Sequence, residues 1–108
     1  MAHHKAYLFN STERSLAAYC KALAHPARTR IYHSIKEEGI IPFERICKLT
    51  PLAAATVQDH LLRLQLVQLI EVMGDESGKI IGYRLNKEVE EEMKWVFESI
   101  VRGGRLQE

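Results

Sequence analysis

Apolar residues repeat at helical spacing in five segments of this chain. The clearest repeat lies between 53 and 66, where Val57, Leu61 and Leu64 fall at i, i+4 and i+7 and form one apolar stripe. The same spacing predicts four further helices, at about 12–24, 27–38, 43–49 and 87–102. Pro26 suits the first turn of the second predicted helix, and Gly39 marks its end.

Two runs rich in β-branched and aromatic residues follow the 53–66 helix. They cover 69–73 and 79–85 and flank a polar segment with glycine at both ends, which predicts a β-hairpin. Residues 40–42 are long enough only for a short bridging strand. The order helix, turn, helix, hairpin predicts a winged helix-turn-helix, mainly α with a small β-hairpin wing. We expect one such domain at 11–103, between a flexible leader at 1–10 and a tail at 104–108.

Length and composition restrict the protein class. A chain of 108 residues has room for one domain, and 46% hydrophobic with 27% charged residues is typical of a globular protein. No apolar run approaches the roughly 20 residues of a membrane span, and the first residues lack the apolar core of a signal peptide. Two cysteines are too few for a disulfide framework. We therefore expect a cytoplasmic protein that has no membrane association.

Charge is unevenly distributed along the chain. The net charge is +1, yet residues 1–36 carry six bases against one acid, whereas the remainder carries nine bases against thirteen acids. The first part is therefore +5 and the rest −4, and Arg28 and Arg30 contribute to the positive part. A phosphate backbone would meet a stronger local field than the overall charge indicates.

Several short motifs together resemble one family of regulators. The segment KALAHPARTRI at 21–31 closely resembles the K-A-L-A-D-P-T-R-L-R-I opening of the ArsR-type metalloregulatory repressors. The similarity continues at 44–47, 56–61 and 66–67 and ends in the predicted wing at 82–85, so that it spans roughly 14–102. It implies a homodimeric transcriptional repressor that binds a double-stranded DNA operator and releases it when an inducer arrives.

Carried over position by position, the resemblance assigns two sets of residues. The 53–66 helix corresponds to the recognition helix of the family. The DNA-facing set comprises the exposed side of this helix, its N-terminal turn, and cations of the preceding turn and of the wing. Its members are Lys48, Ala54, Ala55, Thr56, Gln58, Asp59, His60, Leu62, Arg63, Lys79 and Arg84. The last helix has a broader apolar face than its own core requires, so we expect it to pair with the first helix and a second copy. This dimer set comprises Leu16, Tyr19, Cys20, Leu23, Met93, Val96, Phe97 and Ile100.

Some of these residues have alternative interpretations. His60 borders the apolar stripe, which favours packing over base contact. Each surface Lys or Arg is either a DNA contact or a solvated charge. The family commonly caps the recognition helix with Ser, whereas this chain has Ala53, so that Thr50 caps it or the cap is lost. Asp59 would lower affinity for phosphates, although a carboxylate accepts a hydrogen bond from cytosine N4.

The usual inducer sites of the family are incomplete here. The third helix has Cys47 but no second cysteine beside it, and the last helix contains neither His nor Cys, so we predict no metal site and no cofactor. His3 and His4 are interpreted as part of the leader and not as ligands joining Cys47. Cys20 and Cys47 leave open a thiol-based redox response, which would require their Cα atoms to approach within about 7 Å.

Two other function classes are an enzyme and a protein-binding module. No Ser-His-Asp or Cys-His constellation and no phosphate-binding glycine loop occurs, and the glutamates of the last helix are interpreted as a solvated face, so we do not expect an enzyme. The main rival to a DNA-binding regulator is a winged-helix module that binds proteins through its acidic recognition helix.

Overall fold

The computed structural model describes residues 5 and 7–103. Residues 1–4 and 6 of the predicted leader, including His3 and His4, and the predicted tail at 104–108 lie outside the described residues. The elements, in chain order, are α1 Ser11–Ala22, α2 Pro26–Glu38, α3 Phe43–Leu49, α4 Ala54–Leu66, β1 Ile70–Gly74, β2 Ile80–Leu85 and α5 Lys87–Val101. Each lies within two residues of its predicted bounds, which confirms the mainly α fold with a hairpin.

Local chemistry fixes the ends of the first two helices. Asn10 and Glu13 form a capping box, in which the Glu13 N–H donates to Asn10 Oδ1 at 2.8 Å and the Asn10 N–H donates to Glu13 Oε1 at 3.1 Å. His25 caps α2, since its Nδ1 accepts from the Ala27 N–H at 3.0 Å. Gly39 ends α2 with φ of +92°, a conformation that favours glycine.

The hairpin is joined to the helices by a short bridge. β1 and β2 are antiparallel, with Ile70 opposite Leu85. Ile41 exchanges two backbone hydrogen bonds of 3.0 and 2.9 Å with Tyr83, which confirms the predicted bridging strand at 40–42. A Cβ atom on Gly82 would lie 2.8 Å from the Ile41 carbonyl oxygen, so the close approach of these two segments requires glycine.

The core lies between α2, α3, α4 and the inner face of the hairpin. Its most deeply buried side chains are Ile31, Ile35, Ile41, Ile46, Val57, Leu61, Leu64 and Leu69. Burial of each such side chain contributes about 1.5–3 kcal/mol. α1 and α5 pack against each other and join this core through Tyr19 and Val96. Among the described residues, no helix combines the length and apolarity needed to cross a bilayer.

Candidate nucleic-acid interface

Helix α4 is held firmly by its inner side. Val57, Leu61 and Leu64 are fully buried against the core, as the sequence stripe predicts. The turn before α4 is tied to α3, because the Thr50 hydroxyl donates to the Ile46 carbonyl at 3.0 Å. Arg30 of α2 donates to the Leu49 carbonyl at 3.2 Å and so links the end of α3 to α2. These contacts fix the direction in which the outer face of α4 points.

The outer face of α4 is open to solvent. Gln58, Asp59, Leu62 and Arg63 are all exposed, and together they form a mixed polar surface. The Arg63 Nε lies 3.9 Å from an Asp59 carboxylate oxygen, one helical turn away. An exposed pair at this distance is weak, at about 0.3–0.5 kcal/mol. The Arg63 guanidinium can therefore exchange this carboxylate for another acceptor at little cost.

The N-terminus of α4 has no side-chain cap. Ala53 occupies the capping position, and the Thr50 hydroxyl, the alternative cap, bonds to α3 instead. Ala54, Ala55 and Thr56 in the first turn are exposed and small. The first N–H groups of α4 thus retain hydrogen-bonding capacity at the positive end of the helix dipole.

His60 lies on the inner side of α4. Only 8% of the residue is exposed, and its ring centroid lies 4.3 Å from that of His25. Burial lowers the pKa of His60 below its usual 6.5, and electrostatic interaction with His25 and Arg28 lowers it further. A side chain buried in this way has little surface that a base or a phosphate could contact, unlike the exposed residues of the DNA-facing set.

The predicted cations around α4 differ in their surroundings. Lys48 and Lys79 are exposed. Arg84 donates from its Nε to Glu71 across the hairpin at 2.7 Å, so this cation is partly neutralised within the wing. At the hairpin tip the Asp75 carboxylate accepts from the Ser77 hydroxyl, and this hydrogen bond is the main cause of the lowered pKa of Asp75.

Six of the eight predicted dimer residues line an apolar cleft between α1 and α5, and the other two, Val96 and Ile100, do not. The cleft has a volume of about 440 Å³ and is lined by Leu16, Tyr19, Cys20, Leu23, Met93, Lys94, Phe97 and Glu98. Phe97 is 52% exposed, whereas Tyr19 and Val96 are buried within their own chain at 7% and 3%. The apolar face thus divides into a side that completes the chain's own packing and a side that remains open.

The two thiols occupy different environments. Cys20 is exposed beside the cleft, and Cys47 on α3 is partly buried. Both thiols are free in the structure, and the thiol-based redox response stays an alternative. Among residues 5 and 7–103, no group of three or more His, Cys, Asp or Glu residues is arranged to hold a metal ion.

Glu90 of α5 does not belong to a solvated face, and for this residue the sequence interpretation is wrong. Glu90 is only 4% exposed, accepts a hydrogen bond from the Tyr32 hydroxyl and lies 2.9 Å from the Lys36 Nζ. Glu92 accepts from the Tyr19 hydroxyl of α1, and burial together with this carboxylate raises the pKa of Tyr19 to about 12. The available signal was the polar pair Tyr32 and Lys36, four residues apart on α2.

Comparison with known proteins gives structural neighbours only. No protein-family model and no curated protein matches this sequence. The structure of the YusO protein from Bacillus subtilis matches with a TM-score of 0.58 and 19% identity, over 91% of this chain and 73% of that one. A probable transcriptional regulator from Pseudomonas aeruginosa matches with a TM-score of 0.51 and 20% identity, over 88% and 80%. With both proteins this chain shares a winged helix-turn-helix fold.

Proposed function

We propose that this protein is a sequence-specific, DNA-binding transcriptional regulator, most similar in its motifs to the ArsR-type repressors, and that it acts as a homodimer. The observation that carries the proposal is the division of α4. Its inner stripe is fully buried, while its outer face of Gln58, Asp59, Leu62 and Arg63 is exposed, as entry into a major groove requires. A structural neighbour described as a probable transcriptional regulator supports this choice of role.

Base recognition would come from the outer face of α4. Gln58 has the amide geometry for a bidentate contact with adenine, and Arg63 has the guanidinium geometry for guanine or a phosphate. Each good bidentate contact contributes about 1–3 kcal/mol of discrimination against the wrong base. Asp59 holds Arg63 only at 3.9 Å and would itself favour cytosine N4 over a phosphate.

Backbone contacts would come from the N-terminus of α4 and the cations around it. The uncapped N–H groups of the first turn favour a phosphate oxygen. Lys48 and Lys79 are exposed and ready for phosphate contact, whereas Arg84 must first leave Glu71. These contacts would position the protein on the duplex without reading its sequence.

Dimerisation would occur through α1 and α5. The open side of their cleft exposes Phe97, and the neighbouring Val101 of α5 is 66% exposed. A small chain gains stability by burying such a surface against a second copy. A two-fold pair would also present two α4 helices to successive major grooves, as a palindromic operator requires.

The proposal is tested by DNA binding at two salt concentrations. Duplexes selected from a random-sequence pool are titrated with protein by fluorescence anisotropy at about 50 and 200 mM salt, and we expect affinity to fall by orders of magnitude as counterion release predicts. Arg63→Ala should weaken binding at least about tenfold. The matched control is Arg102→Ala, which removes an exposed arginine that also pairs with an acid one turn away, but at the C-terminal end of α5. It should change affinity little.

Failure of this test would favour the rival function. The carboxylates of Asp59 on α4 and of Asp75 and Glu76 on the wing give the same surface an acidic component. If no duplex is retained at about 50 mM salt, where phosphate contacts are strongest, the surface is better explained as a protein-binding face.

A further inference from the structure

Two imidazole rings lie against each other where the buried side of α4 meets the start of α2. His60 of α4 is 8% exposed, and its ring is tilted by 43° against the ring of His25 at a centroid distance of 4.3 Å. His25 is the capping residue of α2. We call His25, His60 and Arg28 of α2 the imidazole joint.

Two polar atoms of the imidazole joint are buried without a hydrogen-bond partner in the described part of the chain. They are the Nδ1 of His60 and the Nε of Arg28. A buried polar group without a partner costs about 1–3 kcal/mol, so native structures contain few of them. Their occurrence directly beneath the proposed recognition helix calls for a reason other than packing.

The imidazole rings stabilise the joint when they are neutral and destabilise it when they are protonated. In the neutral state the His25 Nδ1 lone pair accepts from the Ala27 N–H at 3.0 Å and caps α2. A proton on Nδ1 turns this acceptor into a donor that faces another donor, and the cap is lost. A proton on His60 Nδ1 would place a buried charge beside His25 and Arg28, and this atom has no hydrogen-bond partner among the described residues.

The titratable and charged groups that face His60 are predominantly basic. α2 contributes His25 and Arg28, while α4 contributes Arg63 and the single carboxylate of Asp59. The Asp59 carboxylate is exposed to solvent, which screens its attraction. The buried imidazolium would therefore be repelled from three directions and attracted weakly from one.

We propose that the imidazole joint is an acid-sensitive switch, in which proton uptake by His25 and His60 releases α4 from α2. The lowered pKa of His60 sets the sign: the unfolded chain, in which His titrates near 6.5, takes up the proton before the folded chain does. The stability of the α2–α4 packing is thus complete above about pH 6.5 and is lost as the pH falls through the folded-state pKa.

The test compares thermal unfolding and amide hydrogen exchange at about pH 7.5 and 5.5, a range in which unperturbed carboxylates do not titrate. We expect the wild-type unfolding midpoint to fall by several degrees at the lower pH. The open population of α4 should rise by up to about tenfold per pH unit for each proton, after correction for intrinsic exchange, while α5 changes less.

Three variants make the result specific. His60→Gln should remove most of the pH dependence. His25→Asn provides a second variant if the first does not fold, because Asn is among the best capping residues and removes the imidazole without losing the cap. His33→Gln on the exposed side of α2 is the control and should behave as wild type. The proposal is overturned if the wild-type midpoint is the same at both pH values, or if His25→Asn and His33→Gln give the same pH dependence.

The consequence for DNA rests on the proposed function. If α4 reads DNA, affinity at constant salt should fall between about pH 7.5 and 6.0 in wild type and in His33→Gln, but much less in His25→Asn. Unfolding and hydrogen exchange report the switch without DNA. If the predicted pH dependence is observed but the protein binds no duplex, the proposed function is contradicted, while the proposal of an acid-sensitive switch is supported.

Discussion

At the scale of single residues, Glu90 shows how tertiary surroundings change a side chain's role. Its carboxylate is enclosed between α2 and α5 and receives hydrogen bonds from Tyr32 and Lys36. Burial by itself raises the pKa of Glu90, but the hydrogen bonds from Tyr32 and Lys36 outweigh burial and lower it below 4.5. Burial and the hydrogen bond to Glu90 raise the pKa of Tyr32. The carboxylate thus joins α5 to the helix that supports α4.

We expect Glu90→Gln to lower the free energy of unfolding by about 1–3 kcal/mol at neutral pH, because hydrogen bonds to a buried charge are replaced by weaker ones. Urea unfolding measures the difference. Glu91→Gln is the control, since Glu91 is exposed and pairs with Lys94 at 3.2 Å on the surface, where loss of the pair costs at most about 1 kcal/mol.

The pH dependence of this difference has a defined sign. Since the folded-state pKa of Glu90 is lowered, its stabilisation is present above the ordinary value of 4.5 and is lost as the pH falls through the folded-state pKa. The gap between wild type and Glu90→Gln should therefore narrow in acid. A gap that stays constant down to about pH 3 would contradict the assignment.

At the scale of elements, α4 combines a tightly buried stripe with an open first turn. Ala53 adopts the extended backbone of a capping residue, with φ of −64° and ψ of 150°, but has no side chain that can accept a hydrogen bond. The helix therefore owes its place to Val57, Leu61 and Leu64 and not to local capping. An open first turn is also what a phosphate contact would need.

Ala53→Ser should supply the missing cap and raise the stability of the protein by about 0.5–2 kcal/mol, because the Ser hydroxyl accepts from the N–H groups that Ala53 leaves free. Thermal or urea unfolding measures the gain. Ala54→Ser places the same side chain one position inside α4 and should give no gain. Equal effects of the two substitutions would show that capping is not what α4 lacks.

At the scale of the whole molecule, the α1–α5 cleft is an apolar surface that the described chain leaves open to solvent. Tyr19 and Val96 complete the core from the inner side, while Phe97, Val101 and Cys20 remain at the open side. A homodimer that covers this side would bring the two α4 helices under one two-fold axis. The proposed affinity for a palindromic operator depends on this pairing.

We expect a chain of 12.4 kDa to sediment at about twice its mass, and Phe97→Ser to weaken the dimer at least about tenfold, since burial of an aromatic side chain contributes about 1.5–3 kcal/mol. Analytical ultracentrifugation over a range of concentrations measures this. Ile80→Ser is the control, because Ile80 is 58% exposed on the wing. A wild-type monomer at every concentration, or equal loss in both variants, would contradict the proposed interface.

The features predicted correctly are those that short stretches of chain encode. The start of α2 near Pro26, its stop at Gly39 and the apolar stripe of α4 each depend on residues a few positions apart. The bridge at Ile41 was predicted because its segment is too short for any other element. The outer face of α4 followed from the same stripe, because residues opposite a buried face point to solvent.

The features that sequence reasoning missed join residues far apart in the chain. His60 and His25 are separated by 35 positions and Glu90 and Tyr32 by 58, so no local pattern connects them. The bond from Arg84 to Glu71 depended on the register of the hairpin, which places these two residues directly opposite each other. In each case a side chain has a partner that comes from another element or from the opposite strand.

The sequence by itself determined the order, the bounds and the buried stripes of the elements, because backbone periodicity and capping act over one or two turns. The tertiary structure alone decided which charges are free and which are held. It buried His60 beside His25, enclosed Glu90 between α2 and α5, and paired Arg84 with Glu71 while Lys48 and Lys79 stayed exposed. The physical reason is that the environment of an ionisable group depends on which groups lie near it in space. Residues that are far apart along the chain become neighbours only when the elements pack.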